Sequence, residues 1–163
     1  MRRALEAHLG SRQVSRVIYG AIIGLALVVA LEHDPPRPGV VVGTLVTTAV
    51  AVGLAELYSE VVGAEVQTHR RITRQRIGAI ADDVAAVAFG IAFPAAFFIV
   101  AALDAIDVET AFTLAKWTGL GLIGLYGFVA ARLAGTGMAG SLMQALAVGL
   151  IGGLLIGLKA LVH

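Results

Sequence analysis

Six side chains within one stretch have the types and spacing to bind a cation: Glu56, Glu60, Glu65, His69, Asp82 and Asp83. Glu56 and Glu60 are four residues apart, as are Glu65 and His69, so on a helix the members of each pair share a face. Carboxylate and imidazole donors suit iron(II), manganese(II) or zinc, and a chain without cysteine disfavours copper(I). Asp82 and Asp83 come from the next apolar segment at about the same depth, so the six together would make an acid-rich vestibule. A plainer reading is charge balance. Glu65, Asp82 and Asp83 can pair with Arg70, Arg71, Arg74 and Arg76, and arginines at a membrane surface also meet anionic lipid headgroups.

The elements that must position these groups are apolar. The 163 residues are 58% hydrophobic and 14% charged, and the mean hydropathy is +0.89. A soluble domain averages about 25% charged. Five long apolar runs predict an all-α polytopic membrane protein, a single domain over 1–163, with spans at about 17–31, 40–58, 77–103, 110–133 and 141–162. The first run is short for a bilayer core of about 20 helical residues, and reaches it by extending back through Gln13–Arg16 with snorkelling arginines. Its Gly20 and Gly24 form a small-xxx-small pair, suited either to packing inside the bundle or to a dimer seam.

Between runs one and two, EHDPPRPG is a loop, because its three prolines cannot continue a helix. Its Glu32, His33 and Asp34 read as solvated, since consecutive residues rarely converge on one ion. Pro94 lies deep in the third run, where a proline removes one intrahelical hydrogen bond and kinks the helix. Lys116 and Trp117 near the start of the fourth run suit an interfacial anchor. The glycines of runs four and five suit close helix packing.

With five crossings, Arg2, Arg3, Arg12, Arg16, Arg70, Arg71, Arg74, Arg76 and Arg132 fall on one side. Arg37, Lys116 and Lys159 fall on the other. The positive-inside rule then puts the N-terminus in the cytosol and the C-terminus outside. The basic N-terminal segment lacks a small-residue cleavage site and reads as an amphipathic lead-in. No Walker loop, HExxH or GxSxG occurs, and Ser59 and Ser141 lack His and Asp partners at useful positions, so the expectation is not an enzyme. No cofactor and no nucleic-acid partner is expected, because the arginine cluster has no aromatic platform beside it. The expected partners are membrane lipids, and the Ala, Val and Gly content fits a bacterial inner (plasma) membrane.

Several short motifs resemble the vacuolar iron transporter family. Tyr19-Gly20-Ala21-Ile22-Ile23-Gly24-Leu25 is similar to the family's Phe-Gly-Ala-Asn-Asp-Gly-Leu. Glu56, Ser59 and Glu65 stand at positions of its Gly-Glu-Tyr-Val-Ser element and the following Glu. Gly90 and Pro94 match a Gly-xxx-Pro element, Gly127, Arg132 and Gly135 match the end of the fourth helix, and Gly149 and Gly157 fit the glycine-rich fifth. The resemblance implies five membrane helices, a homodimer, and export of iron(II) or manganese(II) from the cytosol in exchange for protons. The chain departs from the family at Ile23, where the family has an intramembrane aspartate, and at Val52, where it often has a pore-lining methionine. It also lacks the long acidic segment between helices two and three, having only Gln67–Arg76. A dehydrated divalent ion would meet an apolar path past Ile23 and Val52. The alternative expectation is therefore a membrane scaffold or partner subunit that keeps the fold without transport.

Overall fold

A computed structural model describes residues 11–68 and 73–162 of the chain. Among them the regular structure is all helix: α1 (Ser11–Leu31), α2 (Pro38–Thr68), α3 (Arg74–Ala92), α4 (Ala95–Ala102), α5 (Val108–Leu133) and α6 (Met138–Val162). Three of these, α1, α2 and α5, are long and apolar enough to cross a membrane. The third apolar run is not one continuous helix. It divides into α3 and α4, which bend by 47° at the break, and if the bent pair is one span the candidates number four. The apolar stretch of α6 is shorter, Met138–Leu154 among the described residues. Long apolar helices of this kind are consistent with an integral membrane protein.

The break in the third run has a local cause. Pro94 has no amide hydrogen to continue the α3 ladder, so α3 ends with Phe93 N–H donating to the Phe89 carbonyl. The chain then restarts with Phe97 N–H donating to the Pro94 carbonyl. Helix α2 does the opposite. The sequence from Tyr58 to Thr68 contains no proline and only one glycine, Gly63, so the helix continues ten residues beyond the expected end of the second span. Its 31 residues extend about 46 Å at about 1.5 Å per residue, well beyond a hydrocarbon core of about 30 Å.

The closest packing is between α1 and α3. A Cβ added to Gly20 would lie 2.1 Å from the Val87 carbonyl oxygen, one on Gly24 2.8 Å from that of Ile91, and one on Gly90 2.5 Å from that of Val17. Three glycines thus let two backbones touch, as small residues do between membrane helices. Gly20 faces Val87 and Gly24 faces Ile91, so α1 and α3 run in the same direction. Gly20 and Gly24 are occupied by packing within one chain. Helix α2 runs against both: its Gly53 meets Val84 of α3, and its Ala49 packs with Val87 and Ile91. Across α5 and α6, Gly127 meets Val148 while Gly152 meets Leu120, an antiparallel pairing.

The core is densest where α1 ends and α5 begins. There Val28, Val41, Leu45, Ala95, Phe98, Ala101, Ala111, Phe112 and Ala115 form one buried cluster. The Phe98 and Phe112 rings meet edge to face with centroids 4.8 Å apart, a favourable aromatic geometry. The loop beside this cluster starts α5 with an N-cap: the Asp107 carboxylate accepts from the Thr110 amide at 2.7 Å and from the Thr110 hydroxyl at 2.8 Å. The turn after α5 uses Gly135, whose φ of +81° suits a residue without Cβ. On the outer face of α2, Gly39, Gly43, Thr47, Ala51, Ala55 and Ser59 recur at every fourth position and are all exposed.

Candidate functional site

The inward face of α2 carries the charged site. Val41, Leu45, Ala49 and Gly53 follow one another at four-residue spacing and are buried. The same stripe, continued at helical spacing, next presents Glu56 and then Glu60. The apolar interior face of α2 therefore turns acidic without leaving the inside of the bundle. Both carboxylates meet a single partner, the guanidinium of Arg16 on α1: Nη1 pairs with Glu56 Oε1 and Nη2 with Glu60 Oε1. The three side chains are 24%, 17% and 33% exposed respectively, so water reaches the site only partly.

A planar guanidinium is matched to this task, since its two terminal nitrogens can engage two carboxylates at once where an ammonium is a point charge. Two carboxylates and one guanidinium leave one negative charge in surplus. Half-buried carboxylates are costly without a countercharge, and losing the single arginine would leave both uncompensated.

The sequence did not indicate this partner. Arg16 reads there as a snorkelling residue flanking the first run, and the basic cluster at 70–76 reads as the counterpart of the acids. The pairing instead links positions 44 residues apart, and only the packing of α1 and α2 side by side on α3 brings them together. The signal available beforehand was modest: Glu56 and Glu60 at i and i+4 mark one helix face, with no indication of what covers it.

The other acidic candidates do not join this centre. Glu65 and Asp82 are exposed and Asp83 is half-buried. No ion pair links any of the three to a described residue, although Arg74 and Arg76 are described and exposed. His69, Arg70 and Arg71 lie outside the described residues. Among the described residues no group of three or more His, Asp or Glu side chains is placed to hold one metal ion. Among the described residues Glu56 and Glu60 share one guanidinium, and two carboxylates would bind an ion only as part of a partly hydrated shell.

At mid-bundle the two positions singled out by the resemblance are filled with hydrocarbon. Ile23 and Val52 both pack against the cluster of Ala49, Val87 and Ile91. At the far end the expected loop is present, but its first residue makes a second ion pair: Lys116 Nζ of α5 donates to Glu32 Oε1 at 2.5 Å. Lys116 is therefore held inside the bundle end, while its neighbour Trp117 is 68% exposed and suits an interface.

Comparison with known protein families, curated proteins and solved structures returns no match.

Proposed function

We propose that the chain is a five-span membrane protein of transporter-like construction that takes up a cation at the Glu56–Glu60 pair. The observation that carries this reading is the placement of two inward-facing carboxylates on one arginine, with a surplus negative charge where the apolar face of α2 ends. Ionisable groups at membrane depth are expensive and mark ion paths more often than structural accidents. Five crossings are supported by the alternating direction of successive helices, with the bent α3–α4 pair as the third span and α6 as the fifth. The distribution of Arg and Lys then orients the N-terminus and the Arg16 site toward the cytosol of a bacterial inner membrane. The resemblance to vacuolar iron transporters supplies the cargo, iron(II) or manganese(II), and its export against protons. In this scheme Glu65, Asp82 and Asp83 add negative charge on the cytosolic side, His69 contributes an imidazole, and Arg70, Arg71, Arg74 and Arg76 meet lipid headgroups. A homodimer would use the open small-residue face of α2, since Gly20 and Gly24 are already engaged with α3.

A second reading is favoured by one observation. Ile23 and Val52 fill the bundle with aliphatic packing where the family carries an aspartate and often a pore-lining methionine, which suits a membrane scaffold or partner subunit. Uptake of manganese(II) and iron(II) into proteoliposomes separates the two. Flux that disappears in Glu56→Gln supports the transporter. Absence of flux in the wild type, under both a pH gradient and a membrane potential, leaves the scaffold.

A further inference from the structure

Arg16 already places a cationic group between the carboxylates that a transported ion would need. Its guanidinium is the one cation that contacts Glu56 or Glu60 among the described residues. It lies on a different helix from both, so its hold on them depends on how α1 and α2 sit together on α3. Helical side chains lean toward the N-terminus, and Arg16 stands near the N-terminal end of α1. A guanidinium released from the glutamates therefore swings outward along the bundle end, where a long side chain can keep its charge in water. Arg16 is inward on the acids here, and its place near the start of α1 would let the side chain turn outward to the surface without a backbone shift.

Charge bookkeeping makes the two states exclusive. With Arg16 inward the site carries a net charge of minus one. With Arg16 outward it carries minus two, which a divalent cation neutralises. A divalent ion together with the inward guanidinium would give plus one and would crowd two cations onto two carboxylates. We infer that Arg16 is a tethered counter-cation that closes the Glu56–Glu60 site and must withdraw before a divalent cation binds there. This rests on the cation-uptake reading above, and adds to it a built-in competitor that sets the affinity and keeps the empty site from standing as bare charge. Arg16 is then a positioning and gating residue, not a ligand.

The test is manganese(II) binding to the purified full-length chain in detergent, read by electron paramagnetic resonance. Removing an intramolecular competitor is expected to tighten binding by about tenfold in Arg16→Gln, within the usual range for coupled sites. Arg16→Lys, which keeps the charge but pairs with one carboxylate at a time, is expected to fall between Arg16→Gln and the wild type. The tightening must vanish when Glu56→Gln and Glu60→Gln are added to Arg16→Gln. Thermal melting gives an independent readout: Arg16→Gln melts below the wild type without metal, and manganese(II) raises its melting temperature more than that of the wild type. Should Arg16→Gln not fold, Arg16→Lys carries the test alone, and binding no tighter than wild type overturns the gate. Binding in Arg16→Gln that is unchanged, or tightened but insensitive to the two glutamates, also overturns it. Flux distinguishes the two levels. Wild-type transport with unchanged Arg16→Gln affinity removes the gate and keeps the transporter. Tight manganese(II) binding in Arg16→Gln without flux in any variant keeps the counter-cation and removes the transporter.

Discussion

The two ends of α1 are held by different physics. At its C-terminal end, Glu32 pairs with Lys116 beside a buried layer containing Phe98, Phe112, Leu45 and Val41. At its N-terminal end, sixteen residues or about 24 Å away, Arg16, flanked on its own helix by the buried Val14 and Val17, holds Glu56 and Glu60 through two ion pairs. There the preceding part of α3 is mostly exposed, with Ile80 its one buried side chain before Val87. Hydrocarbon packing has no competitor in solution, whereas an ion pair does: another ion can replace either partner. The difference places a buried aromatic layer at the Glu32 end and a shared guanidinium at the Arg16 end, the end where an ion would compete under the proposed uptake reading.

The comparison stands only while the middle of α1 stays docked on α3. Gly20→Leu places a branched side chain where even a Cβ would collide with the Val87 carbonyl. Because the obstacle is backbone, relief requires moving a whole helix, and a loss of about 4 kcal/mol or more is expected. The chain should elute as aggregate or melt without a cooperative transition, both ends failing together. A well-folded Gly20→Leu protein with normal melting would show that the α1–α3 seam does not set the bundle.

With the seam intact, the ends can be separated. Arg16→Gln leaves two half-buried carboxylates without a counterion and is expected to cost about 2 kcal/mol, below the 3–5 kcal/mol of a fully buried pair because the site is partly wet. Lys116→Gln strands one carboxylate beside a core that remains packed, and about 1 kcal/mol is expected. Denaturant unfolding in one detergent measures both. A Lys116→Gln loss equal to or larger than that of Arg16→Gln would reverse the assignment of the two ends.

Much of the bundle was readable from composition and punctuation. The apolar runs marked the helical segments, and Pro94 marked the break that divides the third run into α3 and α4. What failed was whatever depended on tertiary neighbours. The second span is read as about 40–58 with the acidic pairs on the helix beyond it, and with no breaker before Thr68 α2 runs on to that residue. Glu32 is read as part of the proline-rich loop and does follow the last residue of α1, Leu31, but its carboxylate is not simply solvated: it reaches Lys116, 84 positions away. Likewise the face shared by Glu56 and Glu60 was legible from their spacing, whereas Arg16 was not, since helical periodicity says which residues align and nothing about the helix opposite. The small-residue recurrence from Gly39 to Ser59 on α2 was equally present in the sequence and went unnoticed among the more conspicuous acids.

The smallest expected effect concerns the loop at the Glu32 end, and it sharpens the contrast by acid titration. Hydrogen bonds from the Thr110 amide and hydroxyl favour the ionised Asp107 and hold its carboxyl below the ordinary aspartate range. A group whose value is lowered by folding stabilises the native state above its unfolded value, and loses that contribution as pH falls through the lowered folded value. The wild type should therefore lose an increment of stability on acidification that Asp107→Asn lacks, because an asparagine amide oxygen still accepts from Thr110 but does not titrate. Stability curves of the two proteins from neutral pH down to about pH 3 should converge at the acidic end, with the wild type the more stable at neutral pH. Parallel curves across that range would mean that the cap adds no charge-dependent stability, leaving the Glu32 end to its aromatic packing and to the Lys116 pair.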